Sequence, residues 1–89
     1  MIKITHIAVT GPASLRLTFS DAQAGEVDLS GLIARPGVMV GPLRDSAYFA
    51  RVFLEEGAPT WPNGFDLAPW ALHRDMDAQG LLKPVGQLA

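Results

Sequence analysis

Leu15, Leu17 and Phe19 alternate with Ser14, Arg16, Thr18 and Ser20, and a period of two places the apolar set on one face of a β-strand. Upstream, Ile2 to Val9 is rich in β-branched residues and is bounded by Gly11-Pro12. This stretch predicts a second strand, but its apolar positions switch from even to odd around His6, which requires a bulge or two partly covered faces. After Asp21-Ala22-Gln23-Ala24-Gly25 the alternation resumes in Glu26-Val27-Asp28-Leu29. The first third of the chain therefore predicts an antiparallel sheet built of hairpins.

Beyond Asp28 the period changes. Leu29, Leu32 and Ile33 fall at helical spacing, Asp28 or Ser30 is available as a cap, and Arg35-Pro36-Gly37 stops the turn, so a short helix is predicted. Val38-Met39-Val40-Gly41-Pro42 predicts an extended run. A second helix, capped by Asp45 or Ser46, carries Tyr48, Phe49, Val52 and Phe53, with the last three on one face. It gives way near Arg51 to a strand through Leu54, and Glu55-Glu56-Gly57-Ala58-Pro59 predicts a loop.

The densest local restraint lies in Thr60-Trp61-Pro62-Asn63-Gly64-Phe65-Asp66-Leu67-Ala68-Pro69. Pro62 biases Trp61 toward an extended conformation, and Asn63-Gly64 suits the positive φ angles of a tight reversal. Asp66 is placed to cap a following helix through the Ala68 amide, with Pro69 in the first turn, where a missing N–H does no harm. Trp70, Leu72 and Met76 are the predicted contacts of that helix, which Gly80 ends, leaving Leu81 to Ala89 as a tail.

Composition narrows the functional classes. The chain has 89 residues, 48% apolar and 18% charged, which suits one ordinary globular domain and not a disordered segment. A domain of this size leaves apolar surface for a second copy or a partner to cover. The absence of cysteine removes disulfides, thiolate metal sites and cysteine nucleophiles. The N-terminal residues lack a secretory pattern, and no run approaches the ~20 apolar residues of a membrane span, so a cytoplasmic protein is expected. Lys3, Arg16, Arg35, Arg44, Arg51, Arg74 and Lys83 are scattered, and the net charge is -2. Nucleic-acid binding has no support in that distribution.

His6 and His73, with Asp21, Asp28, Asp66, Asp75 and Asp77, are the candidates for acid–base or metal chemistry. The two imidazoles lie far apart in different elements, without the close ligand spacing of a histidine zinc site, so no metal and no cofactor is expected. His73-Arg74-Asp75 has the letters of the kinase catalytic tripeptide but none of its companions. Ser14, Ser20, Ser30 and Ser46 have no adjacent base, and no catalytic residue is assigned. Trp61, Phe65, Trp70 and Tyr48 form either a core cluster or the anchor of an interface, with core packing the simpler reading.

The order Leu15-x-Leu17-x-Phe19, Asp21, Gly25-x-Val27-Asp28-Leu29, Pro42-Leu43, Phe49 and Thr60-Trp61-Pro62-Asn63-Gly64-x-Asp66-Leu67 resembles a family of small bacterial proteins catalogued as domain of unknown function 2442. The resemblance spans about residues 2 to 73, and Trp-Pro-Asn-Gly-x-Asp is its most specific part. It implies a small α+β domain, no assigned catalytic residues, and a partner encoded alongside in a toxin–antitoxin-like arrangement. The chain has Ala22 where the family often has Gly after the Asp, with a longer hairpin loop. It also ends short of the helix-turn-helix that some longer members append.

The sequence thus predicts a single α+β domain over residues 1–80, with an antiparallel sheet of three to five strands and two or three short helices, and a tail over 81–89. The expected function is a non-enzymatic protein–protein interaction module, antitoxin-like or an adaptor, contacting another small protein or forming a homodimer. Trp61, Asn63, Phe65, Asp66 and Trp70 are its expected surface. The alternative is a small-molecule-binding or minor enzymatic domain in which His6, His73 and nearby carboxylates share a cleft. A DNA-associated regulator ranks third.

Overall fold

The alternation centred on Leu15 becomes the middle of the sheet. In a computed structural model, which describes residues 1–87, β1 (Ile4–Gly11), β2 (Ser14–Phe19) and β3 (Gln23–Asp28) form consecutive antiparallel hairpins. The β1–β2 register shifts between Ile4 and His6, which is the bulge that the change of apolar parity predicts, and again between Val9 and Gly11. Leu15, Leu17 and Phe19 are buried on one face, with Ile4 and Val27 beside them on the neighbouring strands.

Three short helices follow: α1 (Ser30–Ile33), α2 (Ser46–Phe49) and α3 (Pro69–Ala78). Asp28 turns the chain into α1 by accepting the Ser30 amide at 2.8 Å. Asp45, rather than Ser46, caps α2 by accepting the Ala47 amide at 3.1 Å. Between α1 and α2 the expected extended run is replaced by turns over 38–40 and a 3-10 helix, Gly41–Arg44. Pro42 in its first turn and the bond from Gly41 N to Gly37 O favour the coiled path.

After α2, β4 (Phe53–Glu55) and β5 (Ala58–Thr60) form a separate two-stranded hairpin. The expected loop at 55–59 is the tip of that hairpin, turned by Glu56 at φ 52 and Gly57 at φ 82. Phe53 opens β4 and stands out from the core that Phe49 enters, so the two do not share the helical face expected of them.

α3 ends in a complete Schellman motif. Gly80 takes φ 71, its amide donates to Asp77 O, and the Leu81 amide donates to Met76 O. The chain then returns to the sheet instead of trailing off. β6 (Lys83–Pro84) pairs antiparallel with Gln23 and Ala24 of β3, giving the strand order β1-β2-β3-β6. Only the expected tail residues at 88–89 lie outside the described residues. Gly25 permits this closure, because a Cβ there would strike the Leu81 carbonyl. The fold is α+β, with the sheet's apolar face, α2, Leu43, Trp61 and Met76 of α3 enclosing one core.

Candidate interaction surface

The Thr60 to Pro69 junction folds as a second, very small hairpin continuing β5. Trp61 N donates to Phe65 O, Leu67 N donates to Pro59 O, and Thr60 bridges Asp66. Pro62 and Asn63 occupy the central positions of the turn closed by Gly64 N on Trp61 O, and Gly64 follows at φ 89. Gly64, but not Asn63, supplies the positive φ, which is the three-residue loop with a glycine bulge. The expected cap is corrected here. Asp66 is held in the bridge to Thr60, while Ala68 enters α3 with no side-chain cap and Pro69 starts the helix with its preset φ.

The five residues expected to form a surface separate into different roles. Trp61 is wholly buried, and its Nε1 donates to Phe49 O at 3.0 Å. It is core, because a bulky indole with one satisfied polar atom gains most from complete burial. Phe65 is half-buried against it, with ring centroids 5.9 Å apart. Asp66 is exposed. Trp70 is 59% exposed, with the Arg74 guanidinium 5.2 Å from its ring centre, and so is not the helix contact expected of it.

Asn63 is the staple. Its amide N–H donates to the Tyr48 hydroxyl at 2.9 Å, its Nδ2 donates to Met39 O at 2.9 Å, and its Oδ1 accepts from Phe65 N at 3.1 Å. The junction thereby grips both α2 and the 37–40 turn. The chain leading into this turn from α1 is held by Arg44, whose guanidinium donates to the carbonyls of Ile33 and Arg35. At the tip between these anchors, Val38 is 92% exposed and Met39 44%.

Leaving a valine side chain in water forgoes about 1.5 to 3 kcal/mol of burial. Here it is displayed on a segment pinned by side-chain bonds at both ends. Sequence reasoning missed this pair because it read the segment as an extended run. The available signal was Asn63, whose side chain has more bonding capacity than its own turn uses.

The histidines do not converge. His6 is exposed on β1 with its Nδ1 3.2 Å from the neighbouring Thr5 hydroxyl, whereas His73 on α3 meets Asp21. A groove of about 270 Å³ lies between α1 and α3, walled by Leu29, Leu32, Leu72 and Met76 with Asp28, Arg35 and Asp75 at its edges. Neither histidine lines it. The Ser30 amide holds the Asp28 carboxyl below the usual carboxylate range. Among the described residues, no group of three or more His, Cys, Asp or Glu side chains is placed to hold a metal ion, and no helix is long and apolar enough to cross a membrane. Compared with protein-family models, curated proteins and solved structures, the chain finds no match in any of the three.

Proposed function

We propose that this chain is a non-enzymatic protein–protein interaction module of the cytoplasm, whose contact surface is the braced tip carrying Val38 and Met39. The observation that carries the reading is the combination of an almost fully exposed Val38 with anchors from Asn63 and Arg44 on either side. A pre-organised apolar tip loses little conformational freedom on association, so more of its contact energy appears as affinity. The partner suited to it is another small protein with an apolar recess. An antitoxin-like or adaptor role beside such a protein, and membership of the family named above, rest on the resemblance of the Trp61 to Asp66 junction. On this reading the junction is a scaffold and the tip is the contact.

A photo-crosslinking residue at Val38, compared with one at Arg16 on the sheet, tests the assignment in the source cell. One protein adduct of defined mass at Val38 and none at Arg16 is expected. Equal labelling at both positions, or none at Val38, overturns it. A Val38→Asp variant, which makes the exposed position polar and leaves the anchors intact, is expected to lose the complex while retaining its melting temperature.

The groove between α1 and α3 favours a second reading, small-molecule binding, because its walls are apolar and its edges charged. At about 270 Å³ it lies just below the usual range of ligand pockets and would take only a small ligand.

A further inference from the structure

Of the sheet's two edges, one is blunted and the other is not. β6 closes one side with two residues, Lys83 and Pro84, a charge and a residue without an N–H, which both discourage further strand pairing. β1 forms the opposite side with eight residues. Its stretch from Thr5 to Gly11 contains no Lys, Arg, Asp, Glu or Pro. Among the described residues, the one backbone hydrogen bond from β1 to anything other than β2 is Ile4 N to Gly57 O. Past that point alternate N–H and C=O groups of the strand face outward without a backbone partner. On the side turned to the core, Val9 remains 40% exposed and Ile7 only half-buried, so the apolar layer is incomplete at this edge.

We infer that two copies of this chain pair through β1, antiparallel about a twofold axis, to make one sheet that runs across both. An edge strand is complementary to itself under that symmetry, since each outward N–H meets the C=O of the same strand in the other copy. The uncharged stretch lets two copies approach without like-charge repulsion. A foreign peptide strand gains specificity from pockets for its alternate side chains. The recess at the Pro12–Ala13 turn and the groove between α1 and α3 are both lined without a β1 residue, and the self-complementary edge makes a second copy the occupant it fits. The bulges at both ends confine regular pairing to His6–Val9, which makes the dimer weak, with a dissociation constant on the order of 0.1 mM.

Sedimentation of the full chain over a concentration series, with hydrogen exchange at the low and high ends, tests the inference. A monomer–dimer equilibrium is expected, with the outward-facing, alternate amides of His6–Val9 gaining protection as dimer forms. Ala8→Lys, at an exposed position on the outer face, and Val9→Lys are each expected to raise the dissociation constant about tenfold or more by opposing like charges across the axis. Circular dichroism of each monomer establishes that it is folded, and Ala8→Lys keeps the test decisive if Val9→Lys is not. A monomer at ten times the expected dissociation constant overturns the proposal. So does a dimer unaffected by a folded Ala8→Lys variant, or one that protects amides elsewhere and leaves β1 unchanged.

Discussion

His73 Nε2 lies 2.8 Å from Asp21 Oδ2, tying the middle of α3 to the turn between β2 and β3. The imidazole also packs in a T-shaped arrangement with Phe19, with ring centroids 4.9 Å apart and planes at 84°. Burial pushes the Asp21 carboxyl upward, but hydrogen bonds from His73 and from the Gln23 amide outweigh it and hold the group below its ordinary value. A carboxyl lowered in the folded state stabilises above its unfolded value, about pH 4, and loses that contribution as pH falls through the folded one. Asp21→Asn is therefore expected to be less stable than wild type by up to about 1 kcal/mol at about pH 5. The gap should narrow by about pH 3, below the ordinary carboxylate value. Urea denaturation of both proteins at the two pH values measures it, and an unchanged gap would mean that the charge on Asp21 contributes nothing.

Ala22, in the same turn, sits at φ 66, where a Cβ is disfavoured. Its carbonyl accepts the Val85 amide, which fixes the turn's shape. Ala22→Gly is expected to stabilise the chain by about 0.5 to 1 kcal/mol, because relief of the left-handed conformation exceeds the extra entropy of an unfolded glycine. A rise in the denaturation midpoint with an unchanged slope is the expected result, and a fall would show that the alanine is not strained.

Asn63→Ala removes the side-chain bonds to Met39 and Phe65 and leaves the backbone bond to Tyr48 possible. A cost of about 1 to 3 kcal/mol is expected, with faster hydrogen exchange concentrated over residues 37–41. Uniformly faster exchange over the whole chain would show instead that Asn63 supports the core as a unit.

Gly25→Ala places a methyl group against the Leu81 carbonyl and near the end of Met76. The backbone oxygen cannot turn away as a side chain can, so the segment after α3 must shift. About 1 to 3 kcal/mol of destabilisation is expected, together with loss of protection at Ala24 and Val85. Retained protection there would mean that the segment moves as a rigid piece with α3.

The periodic parts of the fold were legible in the sequence. Leu15, Leu17 and Phe19 read as a strand face, the parity change at His6 read as a bulge, and Pro69 and Gly80 bracket α3 as their backbone preferences dictate. What escaped was set by contacts between distant residues. Lys83 and Pro84 carry no strand signal and pair with β3 because the Schellman motif aims the chain back and Gly25 leaves room. Asp66 had good capping chemistry and lost that role to a bridge with Thr60. The exposed tip at Val38 depends on Asn63, far along the chain, and no local pattern announces it. Of the proposed surface residues, Trp61 and Trp70 looked alike in the sequence, yet one fills the core and the other stands in solvent.

That difference divides the fluorescence of the chain into two channels. Trp61, sealed and bonded to the Phe49 carbonyl, should emit at short wavelength and resist quenchers, whereas Trp70, open beneath Arg74, should emit at long wavelength and be quenched readily. Loosening of the interior reddens the first component, and a ligand settling over α3 shields the second. One emission spectrum of the unlabelled protein therefore tells an event inside the molecule from an event on its surface.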